Sequence, residues 1–393
     1  MTETFRKTLA VTSRYCLWSA HYAPHPGGIE NYTERLARVL ADRGNRVVVV
    51  TSNLYGGQSV VRQKDGVEVF RLPCRALMNG RLPIPRKNSA YRSLLADLDD
   101  IGFDGVLVNA RFYGHSLEAM KFARRNGLKP VVLDHGSAYL TLGNVLFDAA
   151  LAAYEQGVTA LGKRYHADYY GVSRASARWL ETFGIEALGV LPNAIDAEDF
   201  RESSSGRDFR AELGLLPETK LVATVGRVAP EKGMVQLVEA AKLFESDGVA
   251  FAIAGDGPLL NELKAKAPEN MHFLGSLKGG DVSALLSQAS AFCLPSRSEG
   301  FCTSLLEASA WGCPSVITHV GGVDELVPDE RFGVILPDAK PQTIVEGLAK
   351  VLHEANTSEE RRRLITAHLE NGYGWNSAAE SLVEAFDRAA TTV

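Results

Sequence analysis

Several protein classes are excluded by what the chain lacks. Its 393 residues hold five cysteines (Cys16, Cys74, Cys293, Cys302 and Cys313), an odd number with no CxxC pair. That argues against a disulfide framework and a zinc ribbon and reads as reduced thiols. No run approaches 18 apolar residues, so no helix is expected to cross a bilayer. The opening MTETFRKTLAVTSRY lacks the long apolar core of a signal peptide, which points to a cytoplasmic protein. Excess basic charge is absent as well: 42 Lys and Arg stand against 47 Asp and Glu, for a net charge of −5, and no nucleic-acid partner is expected. There is no GxxxxGK[ST] loop, no GxSxG elbow, no GxGxxG and no His/Cys cluster. P-loop, α/β-hydrolase and zinc chemistry therefore have no sequence support.

What is present is ordinary soluble-protein composition, 46% hydrophobic and 23% charged, in a chain long enough for two cores. Short apolar runs without alternation recur, as strands of a parallel sheet require. In the first half they are Thr8–Thr12, Val47–Val50, Val106–Val108, Val131–Leu133 and Tyr169–Val172; in the second, Leu221–Val225, Val249–Ala254, Ala291–Leu294 and Ser315–Ile317. Helical spacing fills the gaps, as in Glu30–Arg43, Val235–Leu243, Leu259–Ala265 and Val282–Ala289. Alternating strands and helices predict an α/β chain of two doubly wound, Rossmann-like domains facing a cleft. The expected limits are 1–190, 191–375 and a final helical segment 376–393. Ligands of such sheets bind beyond the carboxyl ends of the strands, so the loops there carry the chemistry.

Four of those loops hold notable residues. Glu299 lies in a turn with Gly300, and Glu307 follows eight residues on in an apolar helical pattern that starts near Phe301, Cys302, Thr303 and Ser304. Amides at that helix start suit a phosphate, with Thr303 or Ser304 available as a cap. Glu307 suits a ribose diol and Glu299 sugar hydroxyls, although the same spacing also fits a turn acid plus a capping carboxylate. Gly226-Arg227 and Glu231-Lys232-Gly233 follow the strand Leu221–Val225. A guanidinium and an ammonium there can neutralise a diphosphate, or can simply be a solvated pair. In the first half, Gly27-Gly28 precede the first helix, and His135 follows the strand Val131–Leu133. Asp97-Leu98-Asp99 has the form of a metal-binding pair but falls in helical spacing (Leu94, Leu95, Leu98), which places it on a solvated face. Between Val69 and Ala96 stand six cations, Arg71, Arg75, Arg81, Arg86, Lys87 and Arg92, and no acid. Pro73, Pro83 and Pro85 read as making this segment irregular. It is either a solvated loop or a site for anionic lipid headgroups or an acceptor phosphate.

Taken in order, Gly27-Gly28, His135, Gly226-Arg227, Glu231-Lys232-Gly233, Gly255-Asp256-Gly257-Pro258, Pro295-Ser296, Glu299-Gly300-Phe301 through Glu307, and Gly321-Gly322 with Glu325 span nearly the whole chain. As a set they resemble the retaining glycosyltransferases of family 4, with the two-domain GT-B fold. The resemblance implies transfer of a hexosyl group from a nucleotide diphosphate sugar to an acceptor hydroxyl, in the synthesis of a cell-surface glycan, glycolipid or polysaccharide. It implies a co-substrate but no cofactor and no metal. By the same resemblance Arg227 and Lys232 hold the diphosphate, Glu307 the ribose, and Glu299 the donor sugar. The backbone of Phe301, Cys302, Thr303 and Ser304 touches phosphate and sugar, His135 the transferred sugar, and Gly27-Gly28 the diphosphate and acceptor. The helix from Trp375 returns to the first domain. Two positions depart from the pattern: Cys302 stands where a second glycine is frequent, and Asn193-Ala194 where Asn-Gly is. The acceptor is expected to be a glycan or lipid-linked precursor, met at the inner face of the cell membrane. A nucleotide-sugar epimerase on the same fold is the alternative.

Overall fold

The structure, a computed structural model, describes residues 12–25, 27–139, 145–244, 248–353 and 359–392. The chain packs as two units, one of residues 1–134, 141–170 and 379–393, the other of 135–140 and 171–378.

The first unit contains, in order, β1 (Arg14–Ser19), α1 (Gly28–Asp42), β2 (Arg46–Asn53), β3 (Val60–Arg62), β4 (Glu68–Leu77), β5 (Leu82–Pro85), α2 (Ser89–Asp99), β6 (Gly105–Asn109), α3 (Gly114–Arg125), β7 (Val131–Asp134), α4 (Val145–Lys163) and β8 (Asp168–Gly171). Its sheet runs β3–β4–β2–β1–β6–β7–β8, and the pairs β4–β2, β2–β1, β1–β6 and β6–β7 are parallel. Val47–Val50, Val106–Val108 and Val131–Leu133 are buried throughout, which is why their sequences show no alternation. Most of the strand expected at Thr8–Thr12 falls on residues 8–11, outside the described residues. The first strand described is Arg14–Ser19, buried from Tyr15 onward.

One expectation for this unit is corrected. The basic segment is not irregular: β4 and β5 form an antiparallel ribbon in register from Cys74 opposite Pro85 to Leu77 opposite Leu82. Pro83 and Pro85 fit because, among the described residues, β5 pairs only with β4, so each missing proline N–H falls on a sheet edge. Asp97 and Asp99 sit on α2, where Asp99 pairs with Arg125 at 2.6 Å and accepts from Asn126 at 2.8 Å.

The second unit continues with α5 (Arg174–Leu180), β9 (Gly189–Val190), α6 (Ala197–Glu202), α7 (Phe209–Glu212), β10 (Lys220–Val225), α8 (Met234–Lys242), β11 (Val249–Ala254), α9 (Leu260–Lys266), β12 (Met271–Gly275), α10 (Gly279–Gln288), β13 (Ala291–Leu294), α11 (Thr303–Ala310), β14 (Ser315–Thr318), α12 (Val323–Leu326), β15 (Gly333–Leu336), α13 (Pro341–His353) and α14 (Glu359–Gly372). Among the described residues, six of its strands form a parallel sheet in the order β12–β11–β10–β13–β14–β15. Residues 171–190 pack with this unit: the Ser173 hydroxyl donates to the Gly300 carbonyl at 2.7 Å, and the Arg174 amide to Glu325 at 2.6 Å.

A last helix, α15 (Trp375–Ala390), hands the chain back. From Ala379 onward it belongs to the first unit, where Phe386 stacks on Tyr15 with ring centroids 5.1 Å apart. The returning helix expected from the sequence is therefore present.

Candidate functional site

The order of the second sheet reverses between β10 and β13. Successive strands run outward from that point in opposite directions, so their following loops part and leave a crevice at the carboxyl ends. Lys232 lies in the loop after β10 and Glu299 in the loop after β13, 67 residues apart in sequence. The fold brings them into a direct ion pair, with both side chains largely shielded. The Ser296 hydroxyl donates to the same Glu299 oxygen at 2.9 Å. Backbone bonds hold the two loops together, with the Arg297 amide on the Glu231 carbonyl at 2.8 Å. Arg227 is more open, 60% exposed, and reaches Glu231 at 3.8 Å.

Close approach explains the glycines around this crevice. Gly255 has φ +156°, and a Cβ there would overlap the Gly226 carbonyl oxygen. The loops after β10 and β11 thus touch backbone to backbone, with the Gly226 amide on Ala254 at 3.0 Å and the Val228 amide on Asp256 at 2.9 Å. A Cβ at Gly300 would overlap the His135 carbonyl oxygen. The turn carrying Glu299 therefore rests on the segment carrying His135. The Ser137 and Ser298 hydroxyls meet at 3.1 Å, and Ser173 holds the Gly300 carbonyl from another side. Burial drives the His135 imidazole down to a pKa of about 3, so it is neutral at any ordinary pH.

Beyond the turn, α11 begins without a side-chain cap. The position before it is Cys302, not Thr303 or Ser304 as the capping expectation had it. Thr303 is already helical, and the Cys302 thiol instead contacts the Ser304 hydroxyl at 3.4 Å. Burial pushes that thiol up to about 12, so Cys302 packs as a small apolar group. The first amides of α11 thus have no capping side chain and sit beside the Lys232–Glu299 pair. One turn further, Glu307 is half-buried, and loss of water raises its carboxyl from 4.5 to about 7.

Sequence reasoning singled out Arg227, Lys232, Glu299, Gly300, Phe301, Cys302, Thr303, Ser304 and Glu307, and all stand on the loops after β10 and β13 or on α11. Gly27 and Gly28 are in the first unit, at the start of α1. There Gly27 has no Cβ to collide with the Glu30 carboxylate, which folds back over it and lies 4.0 Å from His21 and 3.9 Å from His25. Ser173 was missed, and no local pattern in its sequence marks it. Glu325 was noted for its position only. In the structure it accepts the Arg174 amide at the start of α5 and is buried. Among the described residues there is no group of three or more His, Cys, Asp or Glu placed to hold a metal, and no helix long and apolar enough to cross a membrane.

Two family models match the chain in succession: Glycosyltransferase Family 4 over residues 26–199, and Glycosyl transferases group 1 over residues 206–370. The second contains the whole Lys232–Glu299–Glu307 arrangement. Among curated relatives, a human phosphatidylinositol N-acetylglucosaminyltransferase chain is 25% identical over 96% of this chain and 76% of its own. A GDP-mannose-dependent alpha-(1-6)-phosphatidylinositol monomannoside mannosyltransferase of Mycobacterium tuberculosis is 24% identical over 86% of this chain and 89% of its own. Anabaena HepE, solved in complex with UDP, superposes with a TM-score of 0.69 at 16% identity, covering 96% of this chain and 100% of that one. The matched models, the two parallel-sheet units and the returning C-terminal helix place the chain in glycosyltransferase family 4, the group 1 glycosyltransferases of GT-B fold.

Proposed function

We propose that the chain transfers a hexosyl group from a nucleotide diphosphate sugar to a hydroxyl of a lipid-linked or glycolipid acceptor, with retention at the anomeric carbon. One observation carries the reading. The Lys232–Glu299 pair, the uncapped start of α11 and the half-buried Glu307 follow one another along the switch-point crevice of a single sheet. A nucleotide diphosphate sugar presents charges and hydroxyls in the matching order. The diphosphate takes Lys232, Arg227 and the α11 amides; the ribose diol takes Glu307; the sugar hydroxyls take Glu299. His135, neutral, offers a hydrogen bond to the transferred sugar. Phe301 packs over Gly322 and walls the site.

Lys232 has two partners to choose between. In the structure it pairs with Glu299. When a diphosphate draws it away, the Glu299 carboxylate becomes available to sugar hydroxyls while Ser296 keeps it oriented. As the bond from the anomeric carbon to phosphate breaks, negative charge grows on the leaving diphosphate. Fixed cations and amides already aimed there stabilise it. The acceptor oxygen bonds the anomeric carbon from the same face, and its proton passes to the departing phosphate. The names of the two curated relatives support a phosphatidylinositol-type acceptor, which would be met at a membrane surface.

The test is a thermal-shift panel of nucleoside diphosphates and their sugars, followed by turnover with a lipid acceptor. A ligand that binds the native state alone raises its stability. Lys232→Ala should lower kcat by about 10²- to 10³-fold in a chain that still folds and melts cooperatively. Undiminished turnover in that variant, or conversion of the donor to its epimer without acceptor, would sink the proposal.

A further inference from the structure

We infer that the outward face of the β4–β5 ribbon docks the protein on a bilayer bearing anionic headgroups; this rests on the lipid-acceptor reading above. The register places Arg75 opposite Ile84 and Leu77 opposite Leu82, so these four side chains share one face of the ribbon. Arg75, Leu77 and Ile84 are exposed, the two aliphatic ones by 45% and 41%, whereas Pro83 on the opposite face is buried. The tip adds exposed Met78 and Arg81, and Arg86 follows β5 directly. The tip is fixed in place, since the His21 ring hydrogen-bonds the Gly80 carbonyl at 2.8 Å.

The six cations of the segment separate into two sets. Lys87 pairs with Glu118 at 2.6 Å, Arg92 caps the Lys87 carbonyl and Arg71 reaches the Ala23 carbonyl. The guanidinium groups of Arg75, Arg81 and Arg86 have no partner among the described residues. They are the ones interleaved with aliphatic side chains. Cations alone would suit a nucleic acid, but that partner would leave Leu77, Met78 and Ile84 in water against phosphates. A bilayer accepts both kinds of group, guanidinium at the headgroups and aliphatic carbon beneath them. In a chain of net charge −5, a ribbon that carries three unpaired cations and no acid of its own makes the attraction local and gives the protein one orientation on the surface.

The experiment is co-sedimentation of the full chain with phosphatidylcholine vesicles, with and without phosphatidylglycerol, at low and high salt. Binding should require the anionic lipid and weaken with salt. Replacing Arg75, Arg81 and Arg86 together by Gln should lower the partition coefficient about a hundredfold, roughly fivefold per cation, whereas Lys87→Gln changes it little. A Leu77→Trp chain with every cation kept gives a second readout, a blue shift of its emission on anionic vesicles. Unchanged partition of the triple variant, or no blue shift, overturns the docking face. Nucleotide binding is measured in parallel. Nucleotide binding without vesicle binding removes the docking face alone. Vesicle binding without any nucleotide-sugar binding removes the transferase reading alone.

Discussion

Glu307→Gln is expected to stabilise the free protein at neutral pH while weakening its hold on nucleotides. In the folded chain the Glu307 carboxyl keeps its proton up to about pH 7, whereas the ordinary value is 4.5. Between those values the native state binds more protons than the unfolded chain, so this residue makes stability fall as pH rises. Below the window both states are protonated and the cost vanishes; above it both are ionised and the cost is constant. The full shift corresponds to about 3 kcal/mol, and because the half-buried side chain keeps some water, about 1–3 kcal/mol is the expected range. Glutamine has the same shape and never ionises. The gap between variant and parent should therefore be near zero at pH 4.5, grow through pH 7 and then level off. For a unit of roughly 200 residues, 1 kcal/mol moves the melting temperature by about 2–4 °C, so the plateau gap lies well within reach of scanning fluorimetry. In the same variant a nucleoside diphosphate should bind about tenfold or more weakly, because a charged acceptor for the ribose diol is lost. A melting gap that does not change between pH 4.5 and 8 would refute the burial argument. A gap that behaves as stated with unchanged nucleotide affinity would refute the ribose role alone.

Three further outcomes test other parts of the structure. Gly255→Ala puts a Cβ into the Gly226 carbonyl oxygen, so the loops after β10 and β11 must separate. Donor KM should rise, and urea unfolding should show a loss of about 1–3 kcal/mol. Ser173→Ala removes the donor that holds the Gly300 carbonyl, and a calorimetric titration should show weaker binding of the nucleotide sugar with little change for the bare nucleoside diphosphate. Arg111 is buried between Asp134 at 2.9 Å and Glu155 at 2.8 Å. Arg111→Ala strands two carboxylates and should cost about 3–5 kcal/mol by chemical denaturation, whereas breaking an exposed pair such as Lys266–Glu262 should leave the unfolding curve essentially where it is.

The sheets were legible where strands are buried on both faces. Val47–Val50, Val249–Ala254 and Ala291–Leu294 are continuous apolar runs because helices cover the sheet from either side. β12, with only Met271 buried, is interrupted by His272 and could not be read, and β15 holds only the short run Val334–Leu336 with an exposed Ile335, which was passed over. Prolines concealed the β4–β5 ribbon, because a proline argues against a strand until the strand is known to be an edge. At the site, Arg227, Lys232, Glu299 and Glu307 were recognisable as residue types after strands. The cap of α11 was misjudged because the start of a helix depends on where the preceding turn ends, and that turn is set by the contact between Gly300 and His135.

By itself the sequence determined the kinds of chemistry on offer and the alternation of elements that carries them. Those follow from local properties: burial of each run, helical spacing and the charge of each loop. Only the tertiary structure decided that β13 lies beside β10. That adjacency joins Lys232 to Glu299 across 67 residues, puts Ser173 under Gly300, and shields Glu307 enough to hold its proton to about pH 7. Strand order is a property of the whole sheet, settled by how all its helices pack, so no stretch of sequence states it.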